Sequence, residues 1–243
     1  MTSDPRVIVW FSCGAASAVA LHRALELYDY SNVQVQAVYC DTAASEHPDN
    51  ERFLADVERW LGIKVVRITG EYADVDDVFM RTRYMAGING ARCTVEMKKR
   101  PRFSYQRPTD IHIFGYTADE GKRMDRFRAN HPAVSLDFIL AEEGLNKQDC
   151  FKILGDAGVS VPVMYKLGFR NNNCLGCVKA TSARYWNMTR EMFPEVFQRR
   201  AEQSRELGVR LTRFKGKRIF LDELPIGYMW GEVEDLSCGP DCR

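Results

Sequence analysis

Val7-Ile8-Val9-Trp10-Phe11 runs straight into Ser12-Cys13-Gly14-Ala15-Ala16-Ser17 and then into Ala18 to Leu27, and the reading of this stretch decides the fold. Five apolar residues without a polar interruption predict a buried strand, and the small residues after them predict a tight turn. Val19, Leu21, Ala24, Leu25 and Leu27 then fall in a helical distribution. A strand that turns at once into a helix brings backbone N–H groups and the positive end of the helix dipole to one point, which suits a phosphate. Small side chains let an anion approach the backbone. Any close-packed strand-to-helix turn uses the same small residues, so the context decides.

The unit repeats outward from there. Val33 to Tyr39 alternates as a strand, Pro48 to Leu61 reads as a helix with Pro48 near its first turn, and Lys64 to Ile68 is again β-rich. A helix near Val75 to Tyr84 and a strand at Ile111 to Gly115 follow. Strands separated by helices predict a parallel twisted sheet with right-handed crossovers and helices on both faces, an α/β fold. Beyond Gly144 the pattern becomes helical, over Lys147 to Ala157, Ser182 to Met192 and Pro194 to Leu207. The expected organisation is therefore a nucleotide-binding α/β domain over residues 1–145. A cysteine-bearing helical appendage over 146–243 would pack with it as one compact unit and end in a mobile tail.

Composition narrows the function classes. With 34 basic and 33 acidic residues the formal charge is +1, so no global field holds nucleic acid or an anionic membrane, and any such partner needs a local patch. The segment MTSDPRVIVWFSC has no charged-then-apolar signal layout and no apolar run spans a bilayer, which predicts a soluble, cytoplasmic protein with no membrane partner. Eight cysteines are then expected as reduced thiols.

Asp41, closing the second strand, is expected at the carboxyl edge of the sheet beside the loop, or as a turn residue there. Cys93 lies among Arg92, Lys98, Lys99 and Arg100, a cationic setting that lowers a thiol's pKa and clamps phosphate or sulfate. Gly115 ends a strand, and Arg123 follows within reach of an anionic ligand. Cys174-Leu175-Gly176-Cys177 supplies two thiolates at metal-ligand spacing, and Cys93 with either Cys238 or Cys242 completes four, for zinc or for a 4Fe–4S cluster. The four histidines, His22, His47, His112 and His131, show no ligand spacing.

Together these residues resemble the phosphoadenosine phosphosulfate (PAPS) reductase and PP-loop ATP pyrophosphatase superfamily. Ser12 to Ser17 resembles its pyrophosphate loop, and Tyr39-Cys40-Asp41-Thr42 with His47-Pro48 its second strand end. Tyr165-Lys166-Leu167-Gly168-Phe169 leading into Cys174-x-x-Cys177 and Lys179 resembles the sulfonucleotide reductase pattern, as do Arg92-Cys93-Thr94 with Lys98 and Pro101. Ser237-Cys238-Gly239 resembles the tail that carries the reductase nucleophile. The resemblance implies an adenosine nucleotide (PAPS, APS, or ATP with Mg2+) held by Ser12, Cys13, Gly14, Ala15, Ala16, Ser17, Asp41, Lys98, Gly115 and Arg123. It implies a 4Fe–4S cluster, with zinc as the alternative, on Cys93, Cys174, Cys177 and Cys242, and Cys238 as the nucleophile, served by a thiol reductant. Ala16 stands where the ATP-using branch has an acidic residue for magnesium, which favours an adenosine phosphosulfate-like ligand.

Two other functions stay open at this point. One is an ATP-dependent sulfurtransferase that takes sulfur from a donor to a nucleic acid, with Arg184, Arg190, Arg199, Arg200, Arg205, Arg210 and Arg213 as phosphate contacts. The other is a nucleotide- or metal-binding module without catalysis.

Overall fold

The structure is a computed structural model and describes residues 5–28, 33–88, 90–234, 236 and 238. Five strands form one sheet: β1 (Arg6–Phe11), β2 (Gln34–Cys40), β3 (Val65–Ile68), β4 (Ile111–Phe114) and β5 (Ser135–Asp137). Their order is β3-β2-β1-β4-β5 and every neighbouring pair is parallel. Helices flank the sheet, as expected for an α/β fold of Rossmann-like type.

β1 is central because nothing in it tolerates water. All six of its residues are buried, and Val7, Ile8 and Val9 are fully so. Each such side chain contributes about 1.5–3 kcal/mol of burial, so a charge at Val9 would break the sheet at its middle. Arg6 at its start is accommodated because Asp110 accepts from Nε at 2.9 Å and from Nη2 at 2.8 Å. Helix α1 (Ala15–Tyr28) packs on β1, and its alanines at 15, 18, 20 and 24 keep that contact close. Helix α2 (Asp49–Leu61) starts one residue after Pro48 and stops at Gly62, which is left-handed with φ +65°.

Contacts divide the chain into two units, each built from non-contiguous stretches. The first comprises Met1–Asp41, Pro48–Ile68 and Pro101–Val163; the second comprises Thr42–His47, Thr69–Arg100 and Met164–Arg243. The helix Lys147–Asp156 packs on α1 and lies in the first unit. The second unit has its own core, which includes Phe79, Met85, Met97, Trp186, Phe197 and Leu221. It also contains a short hairpin, β6 (Thr212–Phe214) and β7 (Lys217–Ile219). No helix among the described residues is long and apolar enough to cross a membrane.

Candidate functional site

In the first unit the chain reverses its direction of travel across the sheet between β1 and β4, so the turns after these two strands meet at the switch point where α/β sheets hold ligands. Ser12 to Ser17 forms the first turn. Cys13 takes φ +53°, a conformation that L residues other than Asn and Asp rarely adopt, and its side chain is buried. The thiol therefore faces the interior. Ser17 ties the turn together: its Oγ accepts from the Ser12 amide at 3.1 Å and from the Ser12 hydroxyl at 3.2 Å, and donates to the Gly14 carbonyl at 2.9 Å. The Ala18 amide donates to the Gly14 carbonyl at 3.1 Å and starts the helix. Ser12, Gly14 and Ala16 are half-buried, alternating with buried Cys13, Ala15 and Ser17.

The second turn approaches the first closely. A Cβ on Gly115 would stand 2.6 Å from the Ser17 nitrogen and 2.8 Å from the Ala16 carbonyl carbon, both rigid backbone atoms, so only glycine fits. Beyond it, Thr117 opens a capping box with Glu120. Arg123 pairs with Glu120 at 2.5 Å and lies over the Tyr116 ring at 4.4 Å. Asp41 leaves the end of β2, donates its amide to Ile68 at 2.8 Å, and accepts from Arg67 at 3.3 Å. Arg67 also grips Glu51. The sequence readings for Ser12–Ser17, Asp41, Gly115 and Arg123 thus fall in one unit, with the loop and Gly115 in direct contact.

Lys98 falls in the other unit, with the cysteines. Residues Val95–Lys99 form a π-helical turn, a wider winding often found at functional positions. From it the Lys98 Nζ donates to the Cys238 carbonyl at 2.8 Å, and the Thr94 hydroxyl lies 3.8 Å from the Cys238 sulfur. The turn between Cys174 and Cys177 is held on three sides. The Leu175 amide donates to Ser45 at 2.9 Å, the Cys177 amide donates to the Tyr185 hydroxyl at 2.7 Å, and Arg200 donates to the Gly176 carbonyl at 3.2 Å. Gly176 has φ +61°, and a Cβ there would stand 2.8 Å from a Val196 methyl.

Two described residues of the tail, Glu234 and Leu236, are held by side chains and amides of the second unit. Asn171 and Asn173 both donate to the Leu236 carbonyl, at 2.8 and 2.7 Å. Glu234 accepts from the amides of Thr181 and Ser182 and from the Thr181 hydroxyl. These ties bring Cys238, between Ser237 and Gly239 which lie outside the described residues, to Cys177. Cys242 also lies outside them.

Cys93, Cys174, Cys177 and Cys238 act on one another electrostatically. The Cys177 thiol hydrogen-bonds Cys238 and holds it well below the usual thiol range; burial opposes this, while Lys98, Lys179 and Thr94 assist. Cys177 is raised, first by that same hydrogen bond and then by burial. Burial pushes Cys93 up to about 11, with Cys238 adding to it, and burial raises Cys174, which also feels Cys238 and Cys93. Among the described residues no three His, Cys, Asp or Glu side chains converge tightly enough to share a single metal ion, and all seven described cysteines are free thiols. Three of these sulfurs, those of Cys93, Cys174 and Cys177, are soft donors of the type that fits a thiolate-ligated centre, with Lys98 and Lys179 beside them.

No family model matches the chain, and no curated protein matches it.

Proposed function

We propose that this chain is an enzyme of the PAPS reductase type, which binds an adenosine nucleotide at a PP-loop and carries out cysteine-dependent sulfur chemistry. The observation that carries the reading is the pairing, in one polypeptide, of a switch-point loop sealed by Gly115 with a neighbourhood of four thiols to which the tail delivers Cys238.

In this reading Ser12 to Ser17 and the start of α1 hold the nucleotide phosphate by backbone N–H groups and the helix dipole. In the same reading Asp41, just after β2, and Arg123, on the helix Gly121–Asn130 that follows β4, would contact the nucleotide. Cys93, Cys174 and Cys177 hold the metal centre, with Cys242 as the fourth ligand. A 4Fe–4S cluster there would supply an electron-transfer centre when bound, whereas zinc on the same four thiolates would be a closed structural site.

Cys238 is the nucleophile. Its thiolate attacks the sulfur of an adenosine phosphosulfate, forming an S–S bond to the sulfonate while the S–O bond to phosphate breaks and the nucleotide leaves with that electron pair. An external dithiol then attacks the Cys238 sulfur, releasing sulfite and regenerating the thiol, and is itself oxidised to a disulfide. Lys98 holds the Cys238 backbone in place for this step.

The test is ligand-induced stabilisation. Adenylyl sulfate at 100 times its Kd adds about 2.7 kcal/mol, and the resulting rise in Tm should exceed that given by ATP with Mg2+ at equal concentration, as Ala16 favours. If neither nucleotide moves the Tm, the reading fails.

A further inference from the structure

We infer that the β6–β7 hairpin is a docking surface for single-stranded nucleic acid. The inference is independent of the sulfur chemistry proposed above and rests on charge that the fold leaves uncompensated. Residues 210–218, Arg-Leu-Thr-Arg-Phe-Lys-Gly-Lys-Arg, hold five cations and no acid, in a chain whose total charge is +1. Arg210, Arg213, Lys215, Lys217 and Arg218 are all exposed.

Among the described residues Arg210, Arg213, Lys215 and Lys217 make neither an ion pair nor a side-chain hydrogen bond, whereas Arg218 donates to the Arg210 and Leu211 carbonyls at 3.4 and 2.8 Å; the other basic residues of the unit are used differently. Arg199 and Arg200 pair with Asp76, Arg205 pairs with Asp222 and Glu223, and Arg190 donates to the Leu221 and Leu224 carbonyls. Those side chains are spent on structure, and Arg200 is buried. Among the described residues none of the five hairpin cations has an ion-pair partner within 4.0 Å. Burial and then the neighbouring Arg213 lower the Arg218 pKa, Glu234 opposing them, and that carboxylate is already bonded to Thr181 and Ser182.

The hairpin also places like charges together. Arg213 and Arg218 are cross-strand partners, so both project from the same face, an arrangement that costs stability when no counter-charge is present. The turn is Lys215-Gly216 with φ of +46° and +79°, a geometry in which asparagine is the usual first residue, and here it puts a lysine at the tip. The hairpin is anchored to the unit by the Arg213 amide on the Thr181 carbonyl at 3.0 Å. A polyanion such as a phosphate backbone relieves the repulsion.

Aromatic surface lies beside the charge. Phe214 stacks edge-on against Tyr228 at 4.7 Å, and two residues further on Trp230 is 74% exposed. An exposed indole next to a row of cations is the combination that holds single strands, whose unpaired bases stack on aromatic faces.

The test is fluorescence anisotropy of the full chain with a fluorescein-labelled mixed-sequence single-stranded 20-mer, DNA and RNA in parallel. Binding is expected to weaken on the order of 10- to 100-fold between 50 and 200 mM KCl. Arg213→Glu/Lys215→Glu/Lys217→Glu, whose side chains are exposed, should lose about ten-fold or more and flatten the salt dependence, with unchanged circular dichroism. Arg59→Glu, the reversal of a charge elsewhere, should stay within about two-fold of the parent. Three results overturn the proposal: no oligonucleotide binding at 50 mM KCl, equal affinity of parent and triple variant, or hairpin-dependent binding to phosphatidylserine vesicles without binding to either oligonucleotide.

Discussion

The backbone of Gly115, at the end of β4, touches the backbone of Ser17, in the first turn of α1, so closely that a single added methyl would stand 2.6 Å from the Ser17 nitrogen. The loop after β1 and the turn after β4 are thus one structure, and its shape depends on a hydrogen atom at residue 115.

Gly115→Ala should therefore cost about 1–3 kcal/mol of stability through overpacking and should abolish the Tm rise given by adenylyl sulfate. Gly155→Ala is the control. It lies in the helix Lys147–Asp156 with open space around its Cα, and should be neutral or stabilising by about 0.5–1 kcal/mol. Thermal melts with and without nucleotide read both effects.

A second expectation concerns acid. The Trp10 indole donates to His112 Nδ1 at 2.9 Å, which requires the neutral ring, and burial lowers the His112 pKa from 6.5 to about 4. Unfolded chains take up a proton at this histidine below pH 6.5 while the folded one does not. The stability it contributes is therefore complete above 6.5 and is lost as pH falls toward 4, on the order of 3 kcal/mol at most. Urea melts from pH 7.5 to 4.5 should show the decline, and His112→Gln should flatten it.

The tail offers a third. Asn171 and Asn173 share the Leu236 carbonyl, and Asn171→Ala/Asn173→Ala removes both donors. Cys238 should then react faster with iodoacetamide and support slower turnover, while Tm changes by only a few degrees, each lost hydrogen bond costing about 0.5–1.5 kcal/mol. Mass spectrometry of the alkylated thiol distinguishes this from general unfolding, which would expose Cys150 as well, since that residue is fully buried.

The metal centre is tested by content. Cys174→Ser and Cys177→Ser should each lower bound metal by at least half after anaerobic purification, measured together with acid-labile sulfide to tell a cluster from zinc. Cys238→Ser should retain it, because the nucleophile is not among the proposed ligands.

Much of this was legible from residue order alone, and the reason is local. The run Val7 to Phe11 and the small residues after it specify strand, turn and helix within twenty positions, and the observed β1 and α1 differ from that reading only at their ends. β2, α2 and the helices Ala183–Met192 and Pro194–Glu206 were visible for the same reason. What escaped was carried by contacts distant in sequence. The ties to Leu236 and Cys238 reach back 63, 65 and 140 residues, which no local pattern announces. The hairpin escaped because five cations hide a strand alternation only three residues long on each side. Arg200 reads as a surface cation on a helix face, but Asp76, more than a hundred residues earlier, draws it inside. Lys98 reads as a phosphate ligand from its basic neighbours. The π-helical turn places its Nζ on the Cys238 carbonyl, a contact that those neighbours do not announce.

The most direct test of the central claim is sulfite release from adenylyl sulfate under anaerobic conditions with a dithiol reductant, comparing the parent chain with Cys238→Ser. The account predicts sulfite and free nucleotide in equal amounts from the parent, and none above background from the variant, whose metal content is unchanged. Sulfite formation by Cys238→Ser at the parental rate, or none by a metal-loaded parent that binds the nucleotide, would contradict it.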